Sequence, residues 1–232
     1  MSQNISDLTL PPHFSGVVRL FPLPNLVLFP GVVQALHIFE PRYRKMTEDC
    51  LASDKLLTMC LYREFEKSDV SDSDPLIHEH VCICKVFAHD RQDDGRYNLM
   101  VAGMKRAVIR RELDVEQPYR MAEVEVVDDE LGLNEDQAAR LRAELLKKCE
   151  SVELLGKLTQ KMDFKKIVSQ NLPLSLLVDL ISFTGGFESQ QQQEILKIAD
   201  VEVRCWKLME LIGKGSETPN VDPKFPPDFS SN

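Results

Sequence analysis

Along the first 128 residues of the chain, apolar and polar side chains mostly exchange at a period near two, the spacing of a half-buried strand. Ala107 and Ile109 fall on one side while Arg106, Val108 and Arg110 fall on the other. From Tyr119 to Val127 the apolar Ala122, Val124 and Val126 alternate with Glu123 and Glu125. Lys55–Tyr62 (KLLTMCLY) is a short apolar run bounded by charge and predicts a buried strand. Residues 80–87 and 97–102 predict two strands joined by HDRQDDGR, in which Asp94-Gly95 suits a tight hairpin turn. Gly103 predicts the end of the second of these and Lys105 the start of another.

The densest stretch is Leu20–Tyr43, LFPLPNLVLFPGVVQALHIFEPRY. Its prolines belong at strand starts, edges or bends, because proline gives no donor to a sheet ladder. Phe29-Pro30-Gly31 therefore predicts a turn between strands at Leu26-Val27-Leu28 and Val32-Val33. Pro41 predicts the first turn of a helix, where its missing N–H is not needed. In that helix Tyr43, Met46, Cys50 and Leu51 share one face. At least six short strands and a helix in so little chain predict a small closed or nearly closed barrel, which leaves few open edges.

The period changes after Asp128-Asp129-Glu130. Asn134 predicts an N-cap, with Glu135 and Asp136 in the first turn, and Leu141, Leu145, Cys149 and Val152 recur at helical spacing to about Leu155. A second helix is expected at Phe164–Ser169. Pro173 opens a third, with Leu176, Leu177, Leu180 and Ile181 inward before Gly185-Gly186. Ser189 is expected to cap a fourth and Asp200 a fifth, which ends at Gly213 with Trp206 as its anchor in the helical core. The fold class is thus α+β, a β-rich lobe followed by a helical bundle. The expected divisions are a flexible arm over 1–16, a β-rich lobe over 17–130, a helical lobe over 131–213 and a disordered tail over 214–232. Ser- and Asp-rich residues 63–75 read as a solvated loop.

Composition narrows the function classes. A formal net charge of −9 disfavours a general nucleic-acid binder, which needs a basic surface. No apolar run approaches the ~20 residues of a membrane helix. The start has no basic and apolar leader pattern, and six scattered cysteines do not form a disulfide framework, so a reducing cytoplasm is expected.

Several motifs tempt toward chemistry. His78, His80, Cys82 and Cys84 would share one side of a strand, and all are zinc-ligand types. At ~3.3 Å per residue the outer two lie roughly 20 Å apart, too far to hold one ion, and no second ligand pair is spaced to help. Gly213-Lys214-Gly215-Ser216 fails the phosphate-loop pattern and follows a helix. No serine or cysteine sits in a nucleophile signature. No catalytic, cofactor or metal residue is therefore assigned. Lys105, Arg106, Arg110 and Arg111 form a basic strand cluster without interleaved aromatics, and Arg106 and Arg110 are expected to pair with Glu123 and Glu125 on the next strand.

Phe21-Pro22-Leu23-Pro24, Leu28-Phe29-Pro30-Gly31 and His37-Ile38-Phe39-Glu40-Pro41-Arg42-Tyr43-Arg44 together resemble the Lon-protease N-terminal, substrate-binding domain family. Asp94-Gly95-Arg96-Tyr97-Asn98-Leu99, Pro118-Tyr119-Arg120 and Leu172-Pro173 extend the resemblance over about residues 17–213. It implies a PUA-like pseudo-barrel with a helical bundle behind it. Val81 and Cys84 stand where the family pattern commonly has glycine. The ATPase and Ser–Lys protease modules of full-length Lon proteases have no counterpart motif, so a stand-alone Lon-domain protein without enzymatic activity is expected. The implied partners are unfolded or peptide-like protein segments, and an adaptor role beside a separate ATPase–protease. An apolar groove between barrel and helices would hold them, with Phe29, Phe39 and Tyr43 as candidate lining residues. The alternatives are a hydrolase with an unrecognised site, or a PUA-like binder of RNA or a small molecule.

Overall fold

The computed structural model describes residues 9–63, 75–150 and 172–214. The chain forms two compact units that divide between Val127 and Asp128. The first carries β1 (Val17–Leu23), β2 (Val33–Ile38), helix α1 (Pro41–Leu51), β3 (Leu56–Leu61), β4 (His80–Arg91), β5 (Tyr97–Leu113) and β6 (Met121–Val127). The second carries α2 (Glu135–Glu150), α3 (Leu174–Thr184), α4 (Ser189–Leu196) and α5 (Val201–Lys214).

The six strands form one sheet in the order β2-β5-β4-β3-β1-β6, and β6 also pairs with β5. Five strands therefore close a ring, β5-β4-β3-β1-β6, and β2 is attached to β5 outside it. The length of β5 makes this possible. Tyr97–Ala102 pairs with β2, Arg106–Leu113 pairs with β6, and β4 runs along the opposite edge. Inside, Leu20, Leu56, Val81, Ile83, Ala107 and Ala122 are among the buried core residues. Closure leaves few edges open to another chain.

Gly103 does not end a strand as the sequence suggests; β5 runs through it. A Cβ there would lie 2.1 Å from the Phe29 carbonyl oxygen, so the glycine admits a close crossing of backbone. Gly31 N–H donates to the Gly103 carbonyl and Gly103 N–H to the Val32 carbonyl, both at 2.9 Å. Opposite it, the pairing slips between Ile83 and Cys84, and Cys84 sits beside Gly103.

The opening stretch also differs from its expectation. The first strand is Val17–Leu23, with Pro22 inside it, while Leu26-Val27-Leu28 is not a strand. Val27, Leu28 and Phe29 are buried without a ladder partner strand, since the segment crosses over Gly103 rather than lying alongside a neighbour. Pro41 does open α1, whose buried face is Tyr43, Met46, Thr47 and Cys50. Tyr119 Oη donates to Asp49 at 2.8 Å, and Arg19 reaches Asp54 at 2.8 Å, so the helix is tied to the sheet by polar contacts as well as packing.

In the second unit Asn134 caps α2 reciprocally: its side chain accepts from Gln137 N–H, and the Gln137 side chain accepts from Asn134 N–H, both at 2.9 Å. Asp200 caps α5 by accepting from Val203 N–H at 3.0 Å. The cap of α4 is Glu188 rather than Ser189, with Gln191 accepting from Glu188 N–H at 3.0 Å. In α3 the buried apolar residues are Leu174, Leu177, Val178 and Ile181, so Leu176 and Leu180 flank that face instead of forming its centre. Trp206 is a clear reversal. It is 49 % exposed on the outer face of α5, while Leu208, Met209 and Ile212 fill the core. The central polar feature is Arg204, fully buried, with Asp179 at 3.3 Å and Asp129 at 2.9 Å. Residues 1–8 of the expected arm, residues 64–74 of the expected loop, the end of the first helix near Leu155, the helix at Phe164–Ser169 and the tail beyond Lys214 lie outside the described residues.

Candidate functional site

A shallow, small depression, partly open to solvent, lies in the first unit between the end of β1, the end of β2 and the start of α1. Its walls are Phe21, Leu23, His37, Ile38, Phe39, Glu40 and Tyr43. The local sequence explains the assembly. Period-two alternation sends Phe21 and Leu23 to the same side of β1. Glu40 leaves β2 in extended conformation, and Pro41 starts the helix at once, which brings Tyr43 back against β1. The Phe21 and Tyr43 rings meet edge to face, with centroids 4.6 Å apart.

The polar groups around this apolar floor are held by one another. His37 Nδ1 lies 2.8 Å from Asn98 Oδ1 on β5. Arg42 Nε donates to Glu40 Oε2 at 3.0 Å, and the Arg42 guanidinium stands 4.6 Å from the centre of the Tyr43 ring. Burial, with the neighbouring Tyr62 hydroxyl, pushes the Tyr43 phenol well above its ordinary value, so it stays a neutral wall. Phe39 is half-buried and stacks on His37 with centroids 6.1 Å apart. Phe21, Leu23, Ile38 and Tyr43 are themselves buried, so Phe39 carries the accessible apolar surface here, beside the paired Glu40 and Arg42.

Of the three residues proposed from sequence, Phe39 and Tyr43 come together here. Phe29 does not; it is fully buried beneath the crossing at Gly103 and lines no part of the depression. The depression lies wholly within the first unit, whereas the expected groove lay between barrel and helices. Phe21, Leu23, His37, Ile38 and Glu40 were missed as lining residues, although the Phe21-Pro22-Leu23 and His37–Tyr43 motifs contain them all.

The other candidate residues separate. His78 precedes β4, His80 is partly buried at its start, and Cys82 and Cys84 are sealed in the sheet. Among the described residues no group of three or more His, Cys, Asp or Glu is placed to hold a metal ion. Burial pushes the Cys84 thiol well up, and Cys82 beside it adds to the effect. The basic cluster pairs as Arg110 with Glu125 and Arg111 with Glu123, while Arg106 is buried. Arg106 lies opposite Val127, and the slip of the β5–β6 register between Ile109 and Arg111 sets Arg111 rather than Arg110 across from Glu123.

Residues 17–214 match the family described as the ATP-dependent protease La (LON) substrate-binding domain, and the chain belongs to that family. Among curated relatives, the Lon protease of Aquifex aeolicus (strain VF5) is 24% identical over 195 residues, 83% of this chain and 24% of that protein. Lon protease 2 of Syntrophobacter fumaroxidans is 29% identical over 175 residues, 75% of this chain and 19% of its own length. The chain thus spans about a quarter or less of these relatives. The fold agrees with the N-terminal domain of Mycobacterium avium complex Lon protease at a TM-score of 0.62 and 20% identity, covering 85% of this chain and 98% of that one. A Lon N-terminal domain protein from Xanthomonas campestris aligns at a TM-score of 0.58 and 19% identity, covering 84% and 97%. Among the described residues no helix is long and apolar enough to cross a membrane.

Proposed function

We propose that this chain is a non-enzymatic interaction module that recognises unfolded or peptide-like segments of other proteins through the Phe39–Tyr43 depression. Family membership supports substrate recognition as the role. The observation that carries the site is a half-buried Phe39 beside an apolar floor whose rim charges are already paired. Such a surface gains by covering apolar area and discriminates little between sequences, which suits an unfolded client. Presentation of that client to a separate ATPase–protease in the cytoplasm is the physiological setting proposed for it.

Titration of a fluorescein-labelled, reduced and carboxymethylated lactalbumin tests this reading. Saturable binding that is lost when the lactalbumin is replaced by its native form is the expected result. Absence of saturable binding contradicts it. A peptidase and esterase screen with and without ATP completes the test, with no turnover expected from the purified chain.

A further inference from the structure

The second unit leaves apolar surface uncovered at the start of α5. Glu130 N–H donates to the Ala199 carbonyl at 3.0 Å and Val201 N–H to the Glu130 carbonyl at 3.2 Å, so Glu130 and Leu131 run beside the first turn of that helix. Leu131 is 74 % exposed. Val203 and Trp206 are 52 % and 49 % exposed, and their spacing makes them neighbours on the helix surface. These three side chains therefore gather around one end of α5 within a single unit. Apolar area left in water in one place forgoes the stabilisation that covering it brings, and it marks an interaction surface in a way that singly exposed residues do not.

The rim of this patch is acidic. Between Asp128 and Asp136 every ionisable residue is an acid: Asp128, Asp129, Glu130, Glu135 and Asp136. Asp129 is committed to the buried Arg204, and Asp200 accepts from Val203 N–H as the cap of α5. Glu130, Glu135, Asp136 and Glu202 are exposed, and none of them forms an ion pair among the described residues. Glu202 Oε1 accepts from Trp206 Nε1 at 3.4 Å, which sets a carboxylate at the edge of the indole. The bases of α5 are already engaged, since Arg204 is buried and Lys207 and Lys214 both pair with Glu210.

Charge decides among the occupants. A second copy would set one acidic rim against another, and a phosphate-bearing surface would meet the same repulsion on a chain of net charge −9. A cation over the indole face gains the attraction of the ring and of the nearby Glu202 carboxylate together. We propose that the Leu131, Val203 and Trp206 surface docks a short segment of a partner protein in which lysine or arginine flanks apolar side chains. The apolar side chains cover Leu131 and Val203, and a basic group lies against Trp206. This surface is on the other unit from the Phe39–Tyr43 depression, and the proposal stands or falls independently of that site.

Trp206 is the single tryptophan of the chain, so its emission reads this surface directly. The probe is a synthetic nonapeptide of glycine and serine, without aromatic residues, carrying two central leucines with a lysine on either side. Titrated into the full chain at low ionic strength, it is expected to shift the Trp206 emission to the blue and to saturate. A control peptide with glutamate for lysine, and another with serine for leucine, should each bind at least about tenfold more weakly. Val203→Ser, at an exposed position, should weaken binding about fivefold while the thermal midpoint holds. Glu130→Gln combined with Glu202→Gln should weaken it similarly and flatten its dependence on salt. The proposal is overturned if the lysine–leucine peptide leaves the emission unchanged, or if either control binds within about threefold of it. It is also overturned if both variants bind the peptide as the native chain does. A blue shift on concentrating the chain without peptide, with a dimer in sedimentation, overturns it in favour of a second copy.

Discussion

Gly103 illustrates how one residue holds the first unit together. Its missing side chain lets the Phe29 carbonyl pass where β5 exchanges β2 for β6 as its edge partner. Gly103→Ala is expected to destabilise the chain by about 1–3 kcal/mol, the usual cost of forcing extra volume into packed structure, measurable as a lowered urea midpoint. A midpoint equal to that of the native chain contradicts the crossing. The cysteines make a second prediction at this scale. Burial pushes the thiols of Cys50, Cys60, Cys149 and Cys205 up to about 12 from an ordinary 9.0. Folded thiols then stay protonated where unfolded ones ionise, so the stability they contribute is full below pH ~9 and is lost as pH rises toward ~12. Unfolding free energies measured from pH 8 upward should fall in that window, and Cys60→Ala should flatten part of the fall.

The elements show which features can be read from a linear sequence and which cannot. The Pro41 start of α1, the Asp94-Gly95 hairpin and the caps at Asn134 and Asp200 were legible because each rests on chemistry within four residues. Asn134→Ala is expected to cost about 1 kcal/mol, read from thermal unfolding, because it removes one half of the reciprocal cap. Gly103 within a strand, Arg111 as the partner of Glu123, and the outward turn of Trp206 were not legible. Each depends on a partner far away in sequence: a crossing carbonyl, a slipped register and a helix face chosen by tertiary packing. Arg204 belongs to the same group, since its acids Asp129 and Asp179 come from distant segments. Asp179→Ala should cost about 3 kcal/mol by leaving a buried guanidinium poorly compensated, whereas Arg204→Met combined with Asp179→Leu should recover most of it. Circular dichroism of the helices during urea unfolding distinguishes the two outcomes.

For the whole molecule, the proposed role rests on membership of the Lon substrate-binding domain family, and the proposed site is the depression in the first unit. The motifs that made the resemblance legible, around Phe21-Pro22-Leu23 and His37–Tyr43, also build the depression. Their joint use was hidden in the sequence because β1 and β2 meet there only through the return of α1. Phe29 looked equivalent to Phe39 in the linear pattern, and only the crossing at Gly103 separates the buried ring from the accessible one.

The most direct measurement is the affinity of labelled, carboxymethylated lactalbumin for the native chain and for Phe39→Ala. Phe39 is only half-buried, so the variant should keep its thermal midpoint within a few degrees. Loss of a central apolar contact should weaken binding about tenfold, with little dependence on salt. Unchanged affinity in a folded Phe39→Ala chain would contradict the placement of substrate recognition at this site.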